Sequence, residues 1–347
     1  MGKSEKRLIQ AVAGSGKTTY IVEQLKEDSE HVVILTYTDV NQEVLREKIR
    51  KKFNGRIPEN IHVFGLFQFI YSFCLTPYLN ERPKGINFDT LTTNAWNQKK
   101  YQDSSGRFYK DRLSKALLDH ANKIPYILRI DRYFSKIYVD EVQDLGGDDL
   151  SWLFSLTKCK AEILCVGDFY QGTFSTSSRG NTNKAAKNNY DSYKKKFTSN
   201  GFTVDEETLQ KSQRCTNETC WFIREKLGIN IKSAKTGHGT FPMLITDKNE
   251  ILRIWNDNDI PKLFYWKHQE YICGNSMNWG ESKGLTKNNV CVVLTDALAK
   301  TFKKDSWAEI APRTKASFYV ACTRASGQVY FIEQKNIVNY KRLAQKP

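Results

Sequence analysis

The sequence predicts an α/β protein built on parallel sheets, in two successive units. Three observations carry that expectation. Short Val- and Ile-rich runs alternate with helix-like segments through the first half, as strands buried on both faces do when helices serve as crossovers. The first run leads into a glycine-rich loop, "AVAGSGKT". After "ETLQKSQRC" the alternation starts again on a smaller scale.

The elements follow in order. "RLIQAV" reads as a strand and "KTTYIVEQLKE" as a helix; "HVVILTYT" is a strand, and "VNQEVLREKIRKKF" a helix with a basic outer face. "NIHVFGLFQFIYSF" comes next, then the strands "SKIYVDE" and "AEILCVGD". Residues 75–135 break the alternation: they are polar, aromatic and loop-rich, end in the helix-like "KDRLSKALLDHANKI", and read as an insertion. A second polar stretch, 176–200, reads as a mobile loop followed by a basic helix. The second unit contains the helix "NETCWFIREKLG" and the strands "NNVCVVLT" and "QVYFIE", and the apolar run of "YVACTRA" also reads as a strand.

A chain of 347 residues is long enough for two domains with real cores. Lys and Arg number 53 against 38 Asp and Glu, a formal net charge of +15. Such an excess suits a polyanionic partner, since each neutralised phosphate releases counterions; the plainer alternative is a basic surface that aids solubility. No apolar run approaches the roughly 20 residues of a spanning helix, so no membrane role is expected. The N-terminal "MGKSEKRLIQAVAG" lacks a signal-peptide layout, and Lys6 stands where an N-myristoylation pattern needs Ser or Thr. The eight cysteines form no CxxC pair and the five histidines are scattered, so metal-ligand spacing is absent. Several cysteines lie in apolar runs, which suits a reducing cytoplasm.

"AVAGSGKT", Ala11 to Thr18, matches a P-loop except that Ala11 replaces the first glycine. Gly14 and Gly16 let backbone N–H groups turn toward phosphate oxygens, with Ala13, Ser15 and Thr19 completing the cradle. Lys17 would reach the β- and γ-phosphates and Thr18 would ligate Mg2+. In "KIYVDEVQD" an apolar strand ends in Asp140 and Glu141. Asp140 suits a Mg2+ ligand, and Glu141 a base for the attacking water.

"DEVQD" resembles motif II of superfamily 1A helicases, the UvrD/Rep/PcrA-like group. Further matches to that group run in order: "LTYTDVNQEVLREKI" (35–49), "HVFGLFQF" (62–69), "VGDFYQGTF" (166–174), "LQKSQRC" (209–215), "GESKGLTKNNVCVV" (280–293) and "FYVACTRA" (318–325). The resemblance spans most of the chain. It implies two RecA-like P-loop NTPase domains with small inserted subdomains, ATP and Mg2+ between the cores, and single-stranded DNA running across both, with RNA left open. The domains implied are a first core of 1–74 and 136–213, an accessory insertion at 75–135, and a second core of 214–347 with a reduced insertion around 225–270.

In that frame Arg214 and Arg324 are the cations that would complete the phosphate site. Gln171 would report the γ-phosphate, and Gly284 would adjoin the nucleotide; Arg179 is a further candidate contact. The nucleic-acid track would use Thr36, Tyr37, Thr38, Phe64, Phe174, Ser282 and Lys283, hydroxyls and amides for phosphates and aromatic rings for bases. "REKIRKKF" and "YKKKF" read as solvated faces that also skim phosphates.

The sequence departs from the group in four places. No upstream adenine-reading glutamine is expected, and Gln10 lies within the first strand. No tryptophan follows "GDFYQ". Thr286 stands where many relatives have glutamate. The stretch 216–275 is short, so no large accessory domain is expected. Compactness and this motif V are also similar to the helicase-like subunits encoded beside OLD-family nucleases in antiphage systems such as Gabija. That similarity implies an alternative: an ATP- and DNA-binding regulatory subunit of a nuclease complex. For the motor itself the group implies 3′ to 5′ movement.

Overall fold

The alternating strands and helices form two separate parallel sheets. The structure, a computed structural model, describes residues 4–81, 83–89, 101–172, 182–237 and 239–341. Contacts divide the chain into one unit of residues 1–10, 17–168 and 174–208 and a second of residues 11–16, 169–173 and 209–347.

In the first unit the elements are β1 (Lys6–Gln10), α1 (Lys17–Glu23), β2 (Val32–Thr36), α2 (Asp39–Lys52), β3 (Ile61–Gly65) and α3 (Leu66–Gln68), which continues as a π-helical stretch over Phe69–Leu75. Then come β4 (Ile86–Asn87), β5 (Phe108–Tyr109), α4 (Leu113–Asp119), α5 (Tyr126–Tyr133), β6 (Lys136–Asp140), α6 (Gly147–Ser155) and β7 (Glu162–Gly167). The unit closes with α7 (Lys184–Asn188), α8 (Tyr190–Ser199) and β8 (Thr203–Asp205). Six strands form one sheet in the order β3-β2-β6-β7-β1-β8. Every pairing is parallel, with Leu8 and Val139 both opposite Cys165. All carboxyl ends therefore lie on one edge, where open α/β sheets bind ligands. Gln10, Thr36, Gly65, Asp140 and Gly167 end their strands there.

Local chemistry explains the helices that flank this edge. β2 reads "VVILT" and is buried along its whole length. The chain then turns at Thr38, whose Oγ1 accepts from Asn41 N at 3.1 Å and caps α2. The basic run at the end of α2 complements its dipole. Part of that run is also structural: Lys52 Nζ donates to the carbonyls of Val22, Glu23 and Leu25, the open end of α1. Lys6, buried in β1, donates to the carbonyls of Cys159 and Ala161 just before β7.

The second unit holds β9 (Lys211–Ser212), α9 (Asn217–Leu227), β10 (Lys232–Ser233), β11 (Met243–Leu244), α10 (Lys248–Asn256), β12 (Lys262–Phe264) and β13 (Ser276–Asn278). It continues with β14 (Val290–Leu294), α11 (Asp296–Lys304), α12 (Pro312–Cys322) and β15 (Val329–Glu333). Five strands pair in parallel in the order β11-β15-β14-β12-β13, and β9 pairs with β10. The period of two in β14 and β15 separates two cores. Val290, Val292, Leu294, Val329 and Phe331 face one; Cys291, Val293 and Ile332 face the other. Thr216 Oγ1 accepts from Thr219 N at 3.2 Å and starts α9. Cys215 and Cys220, both buried, stand at the hydrophobic-staple positions around that cap. Gly228, at φ +60°, ends the helix.

One expected strand is a helix. The apolar run of "YVACTRA" belongs to α12, which starts with Pro312 in its first turn. Residues 318–322 are all buried. Where a helix is covered on every side, as over 318–322, it loses the 3.6-residue stripe, and that short apolar stretch looks like a buried strand.

Candidate active site

The first unit brings four expected residues to the carboxyl edge of its sheet. Lys17 and Thr18 open α1, and Asp140 and Glu141 follow β6. Thr18 Oγ1 donates to Asp140 Oδ2 at 3.0 Å, and Lys17 Nζ lies 3.9 Å from Glu141 Oε1. Burial, aided by the charge of Glu141, holds the Asp140 carboxyl above the ordinary aspartate range; Lys17 and the Thr18 hydrogen bond act the other way. Glu141 sits in the left-handed region at φ +54° and ψ +43°. That conformation costs a non-glycine residue roughly 1–3 kcal/mol and turns the chain sharply at the strand end.

Gln143 is a site residue that the motif contained but its spacing did not assign. Its Nε2 donates to Glu141 Oε2, and its Oε1 accepts from Asp168 N at 3.0 Å. Gly167 makes room for it: a Cβ there would lie 2.8 Å from Val142 Cγ1 and closer still to Gln143 Oε1.

In the second unit the turn 11–16 is held by backbone. Val12 N donates to Leu209 O at 3.0 Å, and Gln213 N donates to Gly14 O at 2.8 Å. Ala13 N donates to the Tyr319 hydroxyl at 2.9 Å. Gly14 has φ +71°, and a Cβ there would meet Arg214 Cβ at 2.7 Å and Ser212 Oγ at 2.8 Å. Arg214 thus abuts the glycine turn, and its Nη1 donates to Thr323 O at 3.0 Å. Ser212 Oγ accepts from Cys215 N at 3.0 Å and shapes that approach.

Arg324 is buried and donates largely to backbone: Nε to Val320 O at 2.9 Å, Nη1 to Ser282 O at 3.3 Å and Leu285 O at 3.4 Å, with Nη2 on Thr323 Oγ1 at 3.2 Å. It therefore holds the 282–285 loop, in which Gly284 turns at φ +88° and is exposed. Gln171 is buried in a short helical turn, Phe169–Gln171, that packs on α12. Thr19 is exposed, and its hydroxyl accepts from Lys48 Nζ at 2.6 Å.

The expected nucleic-acid residues fare differently from one another. Thr36 is buried at the end of β2, and its hydroxyl has no hydrogen-bond partner among the described residues. Tyr37 is half-buried, edge-on to Phe67 at 5.6 Å. Burial raises its phenol pKa, and Asp149, Asp111 and Asp144 add to the rise, so the hydroxyl stays protonated. Thr38 is committed to the cap of α2. Phe64 is half-buried and meets the buried Phe69 edge-on at 5.7 Å. Ser282 is buried and donates to Trp279 O at 2.6 Å, while Lys283 is half-buried. Phe174 and Arg179 lie outside the described residues.

Spacing did not single out Tyr265 and Trp266, which follow β12 at the carboxyl edge of the second sheet. With Lys267, Thr295 and Lys341 they line a cavity of about 280 Å³, and Trp266 is 67% exposed.

The residues present fit a nucleotide with Mg2+. In the glycine turn of the second unit, Ser15 Oγ is buried with no hydrogen-bond partner among the described residues, beside Gly14, where a Cβ would press on Arg214 and Ser212. A hydroxyl and a carboxylate 3.0 Å apart are hard oxygen donors, the kind Mg2+ takes.

Among solved structures the chain is similar to arterivirus nonstructural protein 10, a helicase, in complex with DNA. Sequence identity is 14%, the match covers 95% of this chain and 61% of that one, and the TM-score is 0.50. The fold resembles that of a helicase. A second structure of the arterivirus helicase matches at 14% identity, covering 97% and 62%, with a TM-score of 0.49. The PRRSV helicase matches at 14%, covering 98% and 55%, with a TM-score of 0.47. The chain thus spans about three fifths of the length of the solved helicases it matches. At this identity the likeness is one of fold, a mixed α/β architecture on parallel sheets. No family profile and no curated protein matches the sequence. No helix among the described residues is long and apolar enough to cross a membrane.

Proposed function

We propose that this chain is an ATP- and Mg2+-dependent nucleic-acid motor of the superfamily 1A, UvrD/Rep/PcrA-like kind, moving 3′ to 5′ on single-stranded DNA. One observation carries the reading: Lys17, Thr18, Asp140 and Glu141 converge on one sheet edge, with the 3.0 and 3.9 Å contacts described above. The helicase fold and the +15 charge support it further.

Thr18 and Asp140 would hold Mg2+, which would supply positive charge to offset that developing on the phosphates. Lys17 binds the β- and γ-phosphates, and the N–H groups of the glycine turn orient them. Glu141, aimed by Gln143, takes the proton of the attacking water at its carboxylate. Arg214, against Gly14, supplies a guanidinium to the phosphates. Gln171 and Arg324 pass the nucleotide state to the 282–285 loop, which contains Gly284. Nucleic acid would meet the Tyr37 ring at the strand ends of the first unit, and Lys283 and the exposed Trp266 in the second; Thr36 and Ser282, both buried, shape the backbone beside them. Residues 75–135 serve as a small accessory insertion within this scheme.

The test is ATP hydrolysis by the purified chain, with and without single-stranded DNA or matched RNA. Several-fold stimulation that Lys17→Ala abolishes is expected. Hydrolysis that no nucleic acid stimulates defeats the motor.

A second reading has one observation in its favour. The described residues of 232–278 supply β10 to β13 and α10 to the second unit's own layers, and a stretch that forms no separate subdomain among those residues suits a regulatory subunit beside a nuclease, as in antiphage systems. Robust strand displacement by the isolated chain rejects it.

A further inference from the structure

We propose that Lys315 is an additional cation for the phosphate tail of the nucleotide, presented by the face of α12 that also carries Tyr319. This inference rests on the ATP-binding reading above and deepens it.

Residues 315 and 319 are one helical turn apart, so their side chains lie on the same face of α12. That face meets the glycine turn, because the Tyr319 hydroxyl accepts from Ala13 N at 2.9 Å. The ring of Tyr319 is edge-on to Tyr170 at 6.3 Å, and Lys315 Nζ stands over the Tyr170 ring, 6.0 Å from its centroid. The glycine turn, Tyr319, Tyr170 and Lys315 thus form one connected series of contacts.

Lys315 has the chemistry of a cation awaiting an anion. It is half-buried, and no described carboxylate lies within ion-pair distance of it. Burial lowers its pKa, so an anion that restores the charge would be favoured. Its contact with Tyr170 is at the outer limit of a cation–π attraction, weak enough to exchange for a phosphate oxygen. The more obvious cation on this segment, Arg324, is tied to the carbonyls of Val320, Ser282 and Leu285. A lysine is a compact charge with three rotatable donors on a flexible stem, suited to follow a phosphate as its charge changes.

The experiment measures binding of fluorescent ATP analogue and fluorescent ADP, each with Mg2+, to the full chain and to Lys315→Met and Lys315→Arg. Methionine keeps the apolar stem and removes the charge. Lys315→Met should weaken triphosphate binding about tenfold and diphosphate binding less, and Lys315→Arg should recover most of the loss. A second measurement needs no variant: in the unsubstituted protein the triphosphate should protect Lys315 from an amine-acylating reagent, read by mass spectrometry, more than the diphosphate does. Nucleotide binding with Lys315 equally reactive, or a folded Lys315→Met that binds triphosphate undiminished, overturns the inference alone. Failure of the unsubstituted protein to bind nucleotide at all overturns the ATP reading with it.

Discussion

Thr18 Oγ1 donates to Asp140 Oδ2 across 3.0 Å, joining residues 122 positions apart in the sequence. The contact exists because β1 and β6 run parallel and end on the same edge. Thr18→Ala and Asp140→Asn should each lower Mg2+-dependent hydrolysis about a hundredfold or more. Asp140→Asn should also leave the nucleotide-free fold as stable or more so. A buried carboxylate held above its unfolded value weakens the fold as pH rises through that window. Thermal melts of both proteins between pH 4 and pH 8, set against hydrolysis rates, check the pair of outcomes. A marked loss of stability in Asp140→Asn at neutral pH would contradict the account.

Glu141 depends on Gln143 for its aim, and Gln143 depends on the missing side chain at Gly167. Glu141→Gln should reduce turnover by about 10²–10⁴ with nucleotide binding retained. Gly167→Ala should displace Gln143 and cut kcat while changing KM little. Steady-state kinetics separate the two constants, and an unchanged kcat in a folded Gly167→Ala protein removes Gln143 from the mechanism.

Acid should loosen the edge of the first sheet. Asp205 on β8 is partly buried, which opposes its charge, yet hydrogen bonds from Thr208 and Glu207 and the ion pair with Arg7 hold its carboxyl well below the usual range. A depressed carboxylate contributes stability above its unfolded value, near 4, and loses it as pH falls further. Asp205→Asn should cost about 1 kcal/mol at neutral pH and flatten the stability curve below about pH 4. Urea titrations at pH 3 and pH 7 test this; equal losses at both pH values would refute it.

Trp279 anchors the second unit. It is fully buried, packs on Phe318 at 5.6 Å, and donates from Nε1 to Leu263 O at 2.8 Å. Trp279→Ala should destabilise the unit by about 3–5 kcal/mol. Trp279→Phe should cost less, since most of the ring volume stays and only the hydrogen bond is lost. Chemical denaturation curves for the two variants rank them directly.

Local grammar made much of the architecture legible. β1, β2, β6, β7, β14 and β15 were visible as short apolar runs, and Lys17, Thr18, Asp140 and Glu141 as motif residues at the ends of two of them. What stayed hidden depends on partners far away in sequence. Tyr319 lies 306 positions from the Ala13 N–H it accepts. The carbonyls that occupy Arg324 come from a loop about 40 residues earlier. Thr38 and Lys52 read as candidates for phosphate contact, yet they cap helices. A hydroxyl or an ammonium satisfies a helix end with the same atoms it would offer a ligand, so spacing alone does not separate the two uses. α12 was hidden for a different reason: burial of every residue from 318 to 322 erased the stripe there.

The position of β1 sets a timetable for synthesis. This strand leaves the ribosome long before its partners, β7 and β8: Lys6 stands opposite Ile163, and Arg7 opposite Thr203. At translation rates of about 5–20 residues per second, β1 waits roughly 8–30 s before β7 is made. Until then an apolar segment and the glycine turn behind it have no sheet to join, and pairings this distant close slowly. The nascent chain is most vulnerable to aggregation and to chaperone capture in that interval, and the edge that assembles the phosphate-binding residues is among the last parts of the first unit to form.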